Sequence, residues 1–300
     1  MDYHRPVMLK ECLEALNIKP DGVYVDLTFG GGGHSKEILN RLKGGQLYGF
    51  DQDPDAKVNA DEITNSSFTF IAANFRYFKK YLKLHGAKKI DGILADLGVS
   101  SHQIDTPERG FSTRFDAALD MRMDPKAALT AREVVNSYSE EELHKMFGIY
   151  GEIKNAKTLA KQIVAARTQK EIKTIQELKE VLDKNAPKGR IFKYYAQVFQ
   201  AIRIEVNNEM EALKEMLQQC ADILKPKGRL VIVSYHSLED RLVKNYMNKG
   251  KFFGEVEKDF YGNIIRPFSP VSKKPIEASE DEINLNNRAR SAKLRIAERN

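Results

Sequence analysis

Short apolar runs alternate with helix-like periodicity through the first hundred residues of the chain. The runs predict strands at Val23–Leu27, Gln46–Phe50, Phe68–Ala73 and Ile90–Ala95. From His4 to Leu16, Val7, Leu9, Cys12, Leu13 and Leu16 recur close to a 3.6-residue period and predict a helix. Further helical runs are expected at Ser35–Leu42 and Phe75–His85. A βαβα order of this kind calls for a parallel sheet with right-handed crossovers.

The alternation then stops. From Ser101 to about Thr130 the chain is polar and predicts loop, and from Thr130 to about Asn208 every pattern is helical. Ser139 with Glu142 three residues on has the form of a capping box, and Ile175, Leu178 and Leu182 make an apolar stripe suited to packing. Strand chemistry returns at Arg229–Ser234, and Ser291–Ala297 alternates as a strand able to close the sheet edge. Residues 262–286 carry Pro, Ser and acids and predict an extended loop. The expected organisation is α/β: a Rossmann-like, mostly parallel core from residues 1–104 and 209–300, with a mostly helical subdomain inserted at 105–208.

Three hundred residues give ample room for a buried core. No apolar run approaches the roughly 18 residues that span a bilayer, and the N-terminus has no signal pattern. A cytoplasmic protein without membrane association is the expectation. Cys12 and Cys220 are the sole cysteines, with neither CxxC spacing nor a His-rich cluster, so neither a disulfide framework nor a metal site is expected. Both lie in helical patterns that suit small buried hydrophobes. The formal charge of +6 is uneven: Lys145 to Arg203 holds 13 Lys/Arg against 5 Asp/Glu, leaving the remainder slightly acidic. A local basic excess suits a polyanionic partner such as nucleic acid.

The strongest candidate chemistry follows the first predicted strand. Asp26-Leu27-Thr28-Phe29 leads into Gly30-Gly31-Gly32-Gly33 and then a helical run. A strand, a glycine turn and a helix N-terminus form the nucleotide-like cofactor site of doubly wound α/β folds. Counted from Gly30, the dinucleotide pattern G-x-G-x-x-G would need glycine where Ser35 stands, and no P-loop motif is present. A second strand ending in Asp51 offers a carboxylate for ribose hydroxyls, and a third ends in Asp96. That combination fits a class I S-adenosylmethionine (SAM) site, whose ligand has no phosphates.

Asp96-Leu97-Gly98-Val99-Ser100-Ser101-His102-Gln103 places an acid, hydroxyls and an amide at the carboxyl end of a parallel strand, where ligands sit. Tyr235-His236-Ser237-Leu238-Glu239-Asp240-Arg241 follows the last core strand and belongs on the same rim. His236 is a candidate to orient substrate or act as a base, or equally a structural histidine. Lys184 to Tyr195 mixes Lys188, Arg190 and Lys193 with Phe192 and Tyr195. Basic residues for phosphates and rings for bases are the usual means of gripping single-stranded nucleic acid; both rings suit a core equally.

Taken in order, these blocks resemble the MraW/RsmH family, small-subunit (16S) ribosomal RNA cytosine-N4 methyltransferases. The resemblance begins with His4-Arg5-Pro6-Val7-Met8-Leu9, the Asp26–Ser35 glycine block and Asp96–Ser101. It continues through Arg109-Gly110-Phe111-Ser112, Asp120-Met121-Arg122-Met123-Asp124, Phe199–Ile204, His236–Arg241 and Arg288–Arg295. It implies a class I SAM-dependent methyltransferase with SAM as cofactor and the small ribosomal subunit as partner. The implied cofactor contacts are Gly32, Gly33, His34, Asp51, Phe75, Asp96 and Gln103. The resemblance does not settle a catalytic base. Asp96 is the candidate to accept from the N4 hydrogens, with Ser100 or a nearby carbonyl as alternatives. Lys188, Arg190, Lys193, Tyr195 and His236 are the candidates to touch RNA. Asn287 and Tyr235 stand where the family usually has proline and phenylalanine, and neither is expected to touch a cofactor position.

Two other functions share parts of this pattern. A nicotinamide-dependent oxidoreductase shares the fold class but not the glycine spacing. A non-catalytic RNA-binding or ribosome-assembly protein explains the basic insert but not three strand-end acids.

Overall fold

The structure, a computed structural model, describes residues 6–300 and divides into two compact units. The first runs to Gly98 and resumes at Met210; the second is Val99–Glu209. The boundaries fall at Gly98 and Met210, beside the 104 and 209 expected from the sequence.

In the first unit α1 (Leu9–Leu16) precedes β1 (Val23–Asp26), α2 (Gly33–Leu39), β2 (Gln46–Asp51), α3 (Pro54–Asp61), β3 (Phe68–Ala72), α4 (Phe78–Leu84) and β4 (Ile90–Asp96). The sheet order is β3-β2-β1-β4, continued by β5 (Leu224–Ser234), β8 (Lys293–Arg299) and β6 (Phe268–Pro270). β1 to β5 pair in parallel, whereas β8 runs antiparallel to β5. Leu47, Leu94, Val231, Val233 and Leu294 are fully buried, and Cys12, Leu16 and Ile38 of α1 and α2 join them in one core. Burying each such aliphatic side chain contributes about 1.5–3 kcal/mol. Cys12 and Cys220 are both buried free thiols.

Several expectations need correction. Among the described residues the first helix begins at Leu9, because Met8 adopts a left-handed backbone (φ 52) that no helix can run through; His4 and Arg5 lie outside the described residues. The run expected at 75–85 opens as a 3-10 turn, Phe75–Tyr77, and becomes α-helical only at Phe78. α3 carries no apolar stripe; Asp53 caps it by accepting from Asp55 N–H, and Pro54 starts it. β8 is internal rather than an edge, since β6 pairs beyond it. Residues 262–286 are not all loop: they hold β6, β7 (Ile276–Glu277, paired to β8) and α13 (Glu280–Leu285).

The second unit is helical: α5 (Ser101–Asp105), α6 (Ala131–Ser137), α7 (Glu140–Tyr150), α8 (Ala156–Gln169), α9 (Ile175–Asp183) and α10 (Ile191–Asn207). α5 falls where loop was expected, and a capping box between Ser100 and Gln103 sets its start. Ser139 and Glu142 form the box anticipated for α7. Ile175, Leu178 and Leu182 pack with Phe147, Leu159, Val198 and Ile202 in a separate core. Arg109 reaches the carbonyls of Arg122 and Met123 (3.1 and 3.0 Å), so these two sequence blocks brace one another. The chain leaves this unit through α11 (Glu209–Ile223), and α12 (Ser237–Lys249) follows β5. No helix among the described residues is long and apolar enough to cross a membrane.

Candidate active site

Register places the acids. Asp26 lies opposite Gly49 and Leu94, so Asp51 and Asp96 end their strands two residues further on. All three sit at the carboxyl ends of adjacent parallel strands. Strand order reverses between β1 and β4, and such switch points open a crevice for ligands.

Asp26 serves the loop itself. Its buried carboxylate accepts from Thr28 N–H (3.1 Å) and from the Ser35 hydroxyl (2.7 Å), tying both ends of the glycine turn together. Burial pushes this carboxyl up to about 6, opposed by those hydrogen bonds. Gly32 has φ +74, and a Cβ there would lie 2.7 Å from the Phe29 ring. A Cβ on Gly33 would lie 2.3 Å from Pro6 Cγ. Both glycines are thus required by the protein's own packing, and the tight turn they allow brings backbone up to the crevice.

Asp51 shapes the turn from the other side. Its Oδ2 accepts from Gly30 N–H (2.8 Å) and its Oδ1 from Asp53 N–H (2.9 Å). Each carboxylate oxygen has a second lone pair, and the half-buried residue can offer these to ribose hydroxyls. Burial pushes its carboxyl up to about 6, the two amides pull it down, and Asp53 and Asp26 raise it. Phe75, also half-buried, starts the 3-10 turn just after β3. His34 turns inward: its buried ring places Nε2 3.2 Å from the Val7 carbonyl, and burial pulls it down to about 4. It is a neutral brace for the residues before α1. Gln103 lies in the second unit, where its side chain accepts from Ser100 N–H at 3.0 Å.

Asp96 is held on two sides. Its N–H donates to the Thr28 hydroxyl (2.6 Å), and its Oδ1 accepts from the Tyr235 hydroxyl (2.6 Å). The register explains the second contact: Asp96 pairs with Val233, so Tyr235 emerges beside it just past the end of β5. Tyr235 therefore does touch a proposed cofactor position, contrary to the expectation from sequence. Burial pushes the Asp96 carboxyl up to about 7; the Tyr235 hydroxyl pulls it down, and Asp26, Glu239 and Glu282 raise it. Burial and the Asp96 charge push the Tyr235 hydroxyl well up, so it stays protonated as a donor. Sequence reasoning passed over Thr28, Tyr235 and Asn59, whose Nδ2 donates to the Gly30 carbonyl at 3.1 Å.

His236 caps α12. Its Nδ1 accepts from Glu239 N–H at 3.4 Å, and the buried Glu239 carboxylate accepts from Tyr235 N–H at 2.8 Å. Nε2 lies 3.2 Å from Glu239 Oε1, but its geometry makes no hydrogen bond. The next motif acid, Asp240, pairs with Arg295 of β8 at 2.6 Å. This motif is structural in much of its length.

The chain matches the MraW methylase family across residues 1–300. It belongs to that family. Relatives include the ribosomal RNA small subunit methyltransferase H of Cytophaga hutchinsonii, 61% identical over 297 residues and covering 99% of each chain. That of Flavobacterium johnsoniae is 59% identical over 300 residues, covering 100% of this chain and 98% of the relative. A solved rRNA methylase from Streptococcus thermophilus aligns over 99% of this chain and 98% of its own at 10% identity and a TM-score of 0.43, too distant to add to the assignment.

The basic segment of this MraW-family chain runs from the α9–α10 turn into the start of α10. Lys188, Arg190 and Lys193 are exposed there. Tyr195 is not available to stack on a base, because helical spacing turns it with Tyr194, Val198 and Phe199 into the core. Its hydroxyl bonds to Asp183, and Lys179 Nζ sits 5.4 Å from its ring centre. The exposed ring is Phe192, 82% accessible.

Proposed function

We propose that this chain is a SAM-dependent methyltransferase that modifies the N4 exocyclic amine of a cytosine in small-subunit (16S) ribosomal RNA, working in the cytoplasm on the small ribosomal subunit. The observation that carries the reading is the rim at the β1/β4 switch point, where Asp51 and Asp96 flank a glycine turn in a chain that matches a methylase family end to end. Asp51 would hold the ribose hydroxyls, Phe75 would pack beside the adenine, and the turn at Gly32 and Gly33 would admit the methionine part. When bound, SAM supplies a methyl group already activated by its sulfonium charge.

The protein's task is then alignment and proton acceptance. Tyr235 holds Asp96 Oδ1, which leaves Oδ2 as the acceptor for an amine hydrogen. That hydrogen bond favours a more tetrahedral, more nucleophilic nitrogen. Methyl transfer would break the methyl–sulfur bond, releasing the neutral thioether, and would oblige the nitrogen to give up one proton, which a carboxylate titrating at about 7 can receive. The base must first leave its stack at a cost of a few kcal/mol. Lys188, Arg190 and Lys193 on the helical unit offset that cost by holding flanking phosphates, with Phe192 as the ring nearest them in sequence. Residues Val99–Glu209 thus serve substrate recognition.

Calorimetric titration of the free protein with SAM and with NADH tests the reading. Saturable binding of SAM and none of NADH is expected. NADH binding in place of SAM, or binding of neither, would overturn the reading.

A further inference from the structure

A feature outside this rim has no role in the chemistry above. α12 ends at Gly250 (φ +73), and the chain then forms a narrow arm before β6. Its strands meet in a bridge between Lys258 and Ile264, with Asp259 N–H donating to the Asn263 carbonyl and Ile265 N–H to the Glu257 carbonyl, both at 2.9 Å. The Asp259 carboxylate fixes the tip by accepting from Tyr261 N–H (2.9 Å), Asn263 N–H (2.8 Å) and Asn263 Nδ2 (3.0 Å). The base is anchored by Phe252, which stacks on Tyr246 of α12 at 4.9 Å, and by Lys251 paired with Glu257 at 2.9 Å. This is a built turn.

What it presents is apolar. Phe260 is 97% and Tyr261 86% exposed, and their edge-to-face contact at 5.7 Å is with each other. Ile265 is exposed in the same segment, and so is Phe253, whose ring lies 5.7 Å from Lys214 Nζ. Folding gains nothing from two aromatic rings left in water, and the Asp259 turn would close equally well around polar residues. Rings of this size contribute energy when something covers them.

Charge indicates what does. Residues 241–266 hold six Lys/Arg against three Asp/Glu, half of the net charge of the whole chain on 26 residues. Of the three acids, Glu257 is paired with Lys251 and Asp259 is committed to the turn. Lys258 lies in the arm itself, and Lys249 and Arg266 lie at its base, where they donate to the Gly254 and Asn248 carbonyls. Stacking faces with basic residues alongside match unpaired nucleotides better than an acidic or a purely apolar protein surface.

We propose that the arm at residues 257–265 is a second RNA-docking element, in which Phe260 and Tyr261 stack on unpaired bases of the ribosomal RNA and the neighbouring cations face its phosphates. This rests on the RNA substrate of the preceding section but not on which atom is methylated, nor on the segment around Lys188. A stacked base is worth roughly tenfold or more in affinity.

The test uses the Phe260→Ala, Tyr261→Ala double variant and small ribosomal subunits lacking the modification. The variant should keep its melting temperature and SAM affinity, while its KM for subunits rises by about ten- to a hundredfold and kcat is retained. Phe260→Tyr with Tyr261→Phe, which keeps both rings, should restore KM. A photoreactive benzoylphenylalanine at position 261 should cross-link to RNA in the intact subunit. An unchanged KM, or a cross-link only to ribosomal protein, would overturn the proposal. Failure of the unmutated chain to bind or methylate subunits at all would instead overturn the RNA substrate itself, and the arm's role with it.

Discussion

Replacing Tyr235 by phenylalanine removes one hydroxyl and leaves the ring. The lost contact is the 2.6 Å hydrogen bond to Asp96 Oδ1. A hydrogen bond to a charged group is worth about 1.5–3 kcal/mol, and one pKa unit corresponds to about 1.4 kcal/mol. The hydroxyl opposes the burial that has pushed Asp96 up to about 7, so its loss lets that carboxyl climb by about one to two units. The charges that remain around it, Asp26, Glu239 and Glu282, all push the same way. Near pH 7 most of the variant's Asp96 is then protonated and unable to accept from the target amine. Single-turnover methylation at saturating SAM, followed across pH, should show its acid limb displaced upward. The rate should fall about tenfold near neutrality and recover toward the unmutated rate at pH 9. A limb that does not move, or a plateau that drops without a shift, would refute the coupling of Tyr235 to the chemistry.

Other outcomes follow from the same contacts. Asp51→Ala removes the acceptor for the ribose hydroxyls, and SAM affinity by calorimetry should fall about tenfold or more; an unchanged value would remove Asp51 from the site. Asp26, Asp51 and Asp96 are held at about 6, 6 and 7, above the ordinary unfolded value of about 3.9. Groups raised in this way contribute stability that is complete below about pH 4 and lost as pH rises through 6 to 7. Their share should therefore lower the melting temperature of the ligand-free protein between about pH 4 and 7, and Asp51→Asn should flatten that decline. Replacing Lys188, Arg190 and Lys193 with glutamate should weaken RNA binding and reduce its salt slope by about one unit per lost phosphate contact, with SAM binding unchanged. Phe192→Ala should weaken RNA binding without destabilising the protein, whereas Tyr195→Ala should lower its melting temperature, since only the second ring is buried.

The parallel strands of the first unit were legible because a buried parallel strand is an unbroken apolar run, and β1, β2 and β4 each end on an aspartate. That placed Asp26, Asp51 and Asp96 on one rim from sequence alone. Pattern reading failed where short-range chemistry replaces periodicity. α3 buries only Ala56, Asn59 and Ala60, and its sole signal was the Asp53-Pro54 start. α5 was announced by Ser100 and Gln103 in capping-box spacing, within a stretch polar enough to pass for loop. Tyr195 and Phe192 are three positions apart on one side of α10, with their rings 6.4 Å apart, so neither composition nor period separates them; Phe192 sits in the first turn of the helix, where the core no longer covers it. The Tyr235–Asp96 bond joins residues 139 positions apart, and only the β4–β5 register brings them together. The exposed tip at Phe260 and Tyr261 has no periodicity to mark it, and only the turn at Asp259 puts those rings in solvent.

Methyl transfer to a cytosine amine of small-subunit rRNA can be measured directly. Small ribosomal subunits lacking the modification are incubated with this protein and SAM labelled on its methyl group, and the rRNA is digested to nucleosides. Label should appear in N4-methylcytidine, be lost with Asp51→Ala at limiting SAM, and form tens- to hundreds-fold more slowly with Asp96→Asn at saturating SAM, which is about 2–3 kcal/mol of barrier. Label in a ring-carbon-methylated or ribose-methylated nucleoside, or no label in RNA from subunits under any condition, would contradict it.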